Sequence, residues 1–148
     1  MQESKLRTQS LDFAVSIIHL VENLKAKHET IISNQIGRSG TSIGANIREA
    51  QYAHGKPDFI AKLQIALKEA NETGYWLELL YKIGYIGDQT YKTLDSACAS
   101  IRVIVKTDFY KKLRVSVLAF CTNNPFVFVC YADFFEILRI FLPKASNS

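Results

Sequence analysis

Four side chains at helical spacing, Arg38, Ser42, Asn46 and Glu49, set a cation, a hydroxyl, an amide and a carboxylate along one line. Such a row can serve two kinds of chemistry. Turned to solvent, its arginine can meet a phosphate backbone; turned to another helix, it becomes a polar seam whose charges need partners. Asp58 and Glu72 can face the row across a helix pair, so the structural set is Arg38, Ser42, Asn46, Glu49, Asp58 and Glu72. A structural role is favoured for Arg38, because a buried charge without a partner is costly. The candidate nucleic-acid contacts are Arg38, Arg48, Lys56 and Lys62, each weighed against a solvated face or an ion pair, since Lys and Arg are mostly exposed in any protein.

Other chemistry finds less support. His19 and Glu22 lie three apart, but a di-iron bundle needs Glu-x-x-His on two helices and two further inward glutamates, and that set is missing. Gly37-Arg-Ser-Gly-Thr-Ser lacks the lysine and the preceding strand of a phosphate loop. Cysteines 98, 121 and 130 form no CxxC pair, so neither a zinc site nor a disulfide framework is expected, and reduced thiols in the cytoplasm are the simpler reading. No nucleophile–base pair stands out. The expectation is a protein that is not an enzyme, with no catalytic residues, metal or cofactor.

These rows need rigid elements to carry them. A chain of 148 residues is long enough to bury a core without metal or disulfides, and 48% apolar and 22% charged residues suit a folded domain. The net charge of +4 is mild and permits an anionic partner without requiring one. The first residues lead into an amphipathic pattern, so no signal peptide is expected.

Periodicity predicts four helices. The first spans about Ser10 to Lys27, with Ser10 as N-cap, Asp12 in the first turn, and Leu11, Ala14, Ile17, Ile18, Val21 and Leu24 inward. The second, about Thr30 to Ala53, buries Ile32, Ile36, Ser39, Ile43, Ile47 and Ala50; its glycines 37, 40 and 44 make sense where another helix comes close. Gly55 suits a left-handed residue closing that helix, and Pro57 with Asp58 the first turn of the next. The third, about Pro57 to Ile83, buries Phe59, Leu63, Ala66, Ala70, Thr73, Leu77 and Leu80, while Ile65, Trp76 and Leu79 lie off this stripe and are candidates for a contact between subunits. Asp88 caps the fourth, about Asp88 to Lys112, whose inward face is Tyr91, Leu94, Ala97 or Cys98, Ile101, Ile104 and Val105. Short links make this an all-α, up-down-up-down antiparallel four-helix bundle over residues 1–112.

Residues 113–148 form an atypical apolar C-terminal extension, packed on the bundle or poorly ordered. A turn is expected at Thr122 to Pro125, then an amphipathic helix over about Phe126 to Leu142, with a β-hairpin around Asn123-Asn124 as the rival. Each apolar run is shorter than the ~20 residues that span a bilayer, and the polar face is not basic, so a membrane is not the expected partner.

Arg38-Ser-Gly-Thr-Ser-Ile-Gly-Ala-Asn-Ile-Arg-Glu-Ala50, then Asp58-Phe59, then Ala66-x-x-Glu69-Ala70-x-Glu72-x-x-Tyr75-Trp76-Leu77 resemble the four-helix-bundle family encoded in intervening sequences of bacterial 23S ribosomal RNA. The pattern is also similar to the accessory variability determinant proteins of diversity-generating retroelements. The resemblance covers about Leu11 to Thr107. It implies a small bacterial protein that assembles as a homopentamer, associates with RNA or other nucleic acid, and has no known catalytic activity. Arg38, Ser42, Asn46, Glu49, Asp58 and Glu72 match the family's recurrent polar positions. The chain beyond about Asp108 departs from the pattern, as an out-of-frame extension would.

Two functions follow as expectations. One is a nucleic-acid-binding oligomer, in which a ring repeats modest basic patches and reads RNA shape rather than sequence. The other is a scaffold that binds a protein partner, such as a reverse transcriptase.

Overall fold

The computed structural model describes residues 2–121, with side chains from Lys5 to Lys111. Four helices follow in order: α1 (Gln2–Ala26), α2 (Ile31–Gln51), α3 (Lys56–Lys82) and α4 (Asp88–Cys121). Among the described residues there is no strand. Short links make neighbouring helices antiparallel, and residues 1–112 form one compact unit, an up-down-up-down bundle. The expected turn, amphipathic helix or hairpin after residue 121 lies outside the described residues.

The core follows the apolar periods. Ile36, Ile43, Ile47 and Ala50 of α2 are buried, with Leu63, Ala66, Ala70, Leu77 and Leu80 of α3. Leu94, Cys98, Ile101 and Val105 bring α4 into the same core, and the Cys98 thiol donates to Ala70 O at 3.2 Å. Burial removes water that would solvate a thiolate and pushes the Cys98 pKa up to about 11.

Helix α1 departs from expectation in two respects. It starts at Gln2, so Ser10 is an interior residue whose hydroxyl donates to Arg7 O at 3.0 Å, and Asp12 is not in the first turn. Its inward face is Leu6, Ser10, Phe13, Ile17, Leu20, Val21 and Leu24, leaving Leu11 and Ile18 exposed. Apolar residues run almost around this helix, so periodicity allowed two faces. The glycine side of α2 selects between them. A Cβ on Gly40 would stand 2.8 Å from Ile17, and one on Gly37 3.2 Å from Val21, so α1 is the helix that comes close.

The links explain why the helices stop. His28 adopts φ 62°, and Glu29 N–H reaches back to Leu24 O at 3.0 Å while His28 N–H reaches Lys25 O at 2.9 Å, a Schellman closure with a histidine at the left-handed position. Glu29 then accepts from the Ile32 and Ser33 N–H groups at 2.9 and 2.8 Å, capping α2 from the preceding loop. Gly84, at φ 79°, closes α3 in the same manner, with Tyr85 N–H to Leu80 O at 2.9 Å. Gly55 does not play the expected role: its backbone is extended, α2 ends at Gln51 with Tyr52 as its C-cap, and Asp58 accepts from His54 N–H at 3.1 Å ahead of α3. Asp88 stands inside the first turn of α4, where the Lys92 ammonium, by its hydrogen bond, holds its carboxyl below the usual range.

Candidate nucleic-acid interface

The register of α2 against α3 rests on three opposed pairs. Arg38 Nη2 donates to Glu72 Oε1 at 2.8 Å, the Ser39 and Thr73 hydroxyls share a hydrogen bond of 2.9 Å, and Lys62 Nζ donates to Glu49 Oε2 at 2.6 Å. Of the six seam residues, only Arg38 and Glu72 pair with each other across the helices. Asn46 Nδ2 donates to Ser42 O at 2.8 Å within α2, Glu49 takes Lys62, and Asp58 serves the backbone of His54.

The seam is not buried as expected. The Arg38 side chain is 61% exposed and that of Glu72 26%, so solvent screens the pair and its contribution stays at about 1 kcal/mol or less. Arg38 is long enough to reach Glu72 along the outside of the helix pair, and water then solvates what remains of its charge. Glu72 Oε1 also accepts from Trp76 Nε1 at 3.4 Å. The buried polar contact is Ser39–Thr73, both fully excluded from solvent. Two hydroxyl residues inside otherwise apolar stripes, aligned by an antiparallel pairing, were its signal in the sequence.

The four candidate cations fall into two groups. Arg38 and Lys62 are engaged by Glu72 and Glu49, and the hydrogen bond and charge of Glu49 hold the Lys62 ammonium above its ordinary range. Arg48, in the last turn of α2, and Lys56, at the start of α3, are exposed, and among the described residues neither has an ion-pair partner. Tyr52 lies between them in the chain and is 80% exposed. It follows Arg48 by four positions, which places both on one side of the α2 terminus. No contact signal in the sequence singled out this tyrosine.

Of the candidate subunit contacts, Ile65 is exposed, whereas Trp76 and Leu79 are half-buried. Trp76 packs on the core and meets Tyr75 edge-to-face, with ring centroids 4.9 Å apart. Leu11, Val15 and Ile18 form an exposed apolar stripe on α1 at spacings of four and three. Among the described residues no three His, Cys, Asp or Glu side chains gather into a metal-binding group, and no helix is long and apolar enough to cross a membrane.

Comparison with known proteins places this geometry. The family described as 23S rRNA-intervening sequence protein matches residues 2–107. Among solved structures, the chain is similar to a protein with unknown function from the S23 ribosomal protein family of Bacteroides thetaiotaomicron VPI-5482. That likeness has 46% identity and a TM-score of 0.73, and covers 74% of this chain and 99% of that one. No curated protein matches.

Proposed function

The chain belongs to the 23S rRNA-intervening sequence protein family, and from that premise we propose that it is a non-enzymatic, cytoplasmic, self-associating bundle that binds RNA through cations beside the α2–α3 link. The observation that carries this reading is the pair Arg48 and Lys56. Both are exposed without acidic partners among the described residues, while the nearby Glu49 and Asp58 are already committed to Lys62 and to the His54 backbone. Free surface cations release counterions on meeting a polyanion, which is the main source of affinity for a nucleic-acid backbone. Self-association, pentameric on the family resemblance, repeats this pair in each subunit. The exposed stripe Leu11, Val15 and Ile18 supports association, because soluble proteins seldom leave contiguous apolar surface in water.

The test is an electrophoretic shift with 23S ribosomal RNA fragments at several salt concentrations, beside the solution mass of the full chain. A shift that weakens with salt, and weakens further when Arg48 and Lys56 are both changed to Ala, is expected. No shift at the lowest salt would overturn it and leave the alternative, a scaffold for a protein partner such as a reverse transcriptase.

A further inference from the structure

Helix register gathers more of the positive charge than the link alone reveals. Across α1 and α2, Ile17 lies at Gly40 and Ser10 at Gly44; across α3 and α4, Cys98 lies on Ala70. Extended along antiparallel helices at equal rise, these pairings bring Arg7 near the level of Arg48, Lys106 near that of Lys62, and Tyr110 near that of Asp58. Arg7, Lys106 and Tyr110 are exposed, like Arg48, Tyr52 and Lys56. The opposite end is balanced: Lys82 pairs with Glu78 and Lys92 with Asp88, and Lys25 and Lys27 are matched in number by Glu22 and Glu29. Mid-bundle, Arg38 faces Glu72 and Arg102 lies 3.9 Å from Asp95. Asp108 joins Glu49 and Asp58 as the carboxylates near that end, and Lys5, Arg7, Arg48, Lys56, Lys62 and Lys106 outnumber them, so the surplus of cations sits at the end that also displays two tyrosines.

We infer that this end of the bundle is a surface for single-stranded RNA, in which Arg7, Arg48, Lys56 and Lys106 hold phosphates and Tyr52 and Tyr110 stack on unpaired bases. The inference rests on the RNA-binding reading above and narrows its ligand. Cations alone would suit any polyanion, duplex or single strand. Exposed aromatic rings set among them add a preference, because base faces are available for stacking only where bases are unpaired. An A-form duplex offers Tyr52 and Tyr110 phosphates and hydroxyls but no open base face.

Fluorescence anisotropy of the full chain decides it, using a labelled unstructured RNA of about 20 nucleotides, long enough for several stacked bases, and the same strand annealed to its complement. The single strand is expected to bind more tightly. Tyr52→Ala, at a position too exposed to carry the fold, is expected to weaken single-strand binding by about ten-fold and leave duplex binding unchanged. Changing Arg48 and Lys56 to Ala is expected to weaken both and to lower the salt slope by about 2. Lys25→Glu, at the balanced end, is expected to change neither. Equal affinity for strand and duplex with a silent Tyr52→Ala overturns the stacking surface but keeps RNA binding. Loss through Lys25→Glu instead overturns the location. No binding to either RNA at low salt overturns the RNA-binding reading itself.

Discussion

The Ser39 and Thr73 hydroxyls, 2.9 Å apart and fully buried, are hydrogen-bonded across the α2–α3 seam. Thr73 Oγ1 also lies 2.8 Å from Glu69 O, and Ser39 Oγ 3.4 Å from Ile36 O, so the pair's hydrogens have carbonyl acceptors in both helices. Thr73→Val keeps the shape and removes the hydroxyl, leaving Ser39 Oγ with one long contact. A loss of about 1–3 kcal/mol is expected in urea unfolding, and the double change with Ser39→Ala is expected to recover part of it, since removing both partners removes the orphan. A Thr73→Val protein of unchanged stability would count against the pair as a determinant of register.

The three α2 glycines make different demands. A Cβ at Gly40 collides with Ile17 at 2.8 and 2.9 Å, at Gly37 it presses on Val21 at 3.2 Å, and at Gly44 it meets Ser10 O at an ordinary 3.4 Å. Gly40→Ala is therefore expected to destabilise by about 1–3 kcal/mol through overpacking. Gly44→Ala is expected to be neutral or to gain up to about 1 kcal/mol from helix propensity. Thermal unfolding of the series checks the order; equal effects at 40 and 44 would mean that close packing on α1 is not what glycine serves.

His28 holds a left-handed backbone at φ 62° that glycine adopts without strain. His28→Gly is expected to raise stability by about 0.5–1 kcal/mol, read as a higher unfolding midpoint in denaturant. Glu29→Ala, two N–H bonds the poorer at the start of α2, is expected to lower it by about 1 kcal/mol.

Cys98 gives a pH prediction with a definite sign. Its thiol is neutral and buried, with a pKa of about 11 against the ordinary 9.0. The raised folded value contributes stability that is whole below pH 9.0 and is lost as pH rises towards about 11, because the unfolded thiol ionises first. With Cys121 and Cys130 changed to Ser, alkylation of Cys98 is expected to be slow in the native protein and rapid in urea. The fall in stability above pH 9.0 is expected to shrink in Cys98→Ala; an unchanged profile would show the thiol is not responsible.

Most of the fold was legible in residue order, because α2 carries one apolar stripe, Ile36, Ile43 and Ile47, and α3 a dominant one, Leu63, Ala70 and Leu77, with Ile65, Trp76 and Leu79 lying off it. Pro57 marked the first turn of α3, because its ring pre-sets a helical φ. Helix α1 was not legible in the same way. Leu11 and Ile18 fit its period as well as Phe13 and Leu20 do, and no count along the chain separates them.

The candidate site was legible as residue types but not as states. By itself the sequence determined that four amphipathic helices would pair, and that Arg38, Arg48, Lys56 and Lys62 were its notable cations, since spacing and side-chain chemistry are local properties. Only the tertiary structure decided that Glu72 and Glu49 engage two of them, that Arg48 and Lys56 have no ion-pair partner among the described residues and lie beside an exposed Tyr52, and that Arg7 and Lys106 arrive at the same end. Those outcomes depend on which residue faces which across an interhelical gap, and that register is set by close contacts such as Ile17 on Gly40 and Thr73 on Ser39, which no single helix contains.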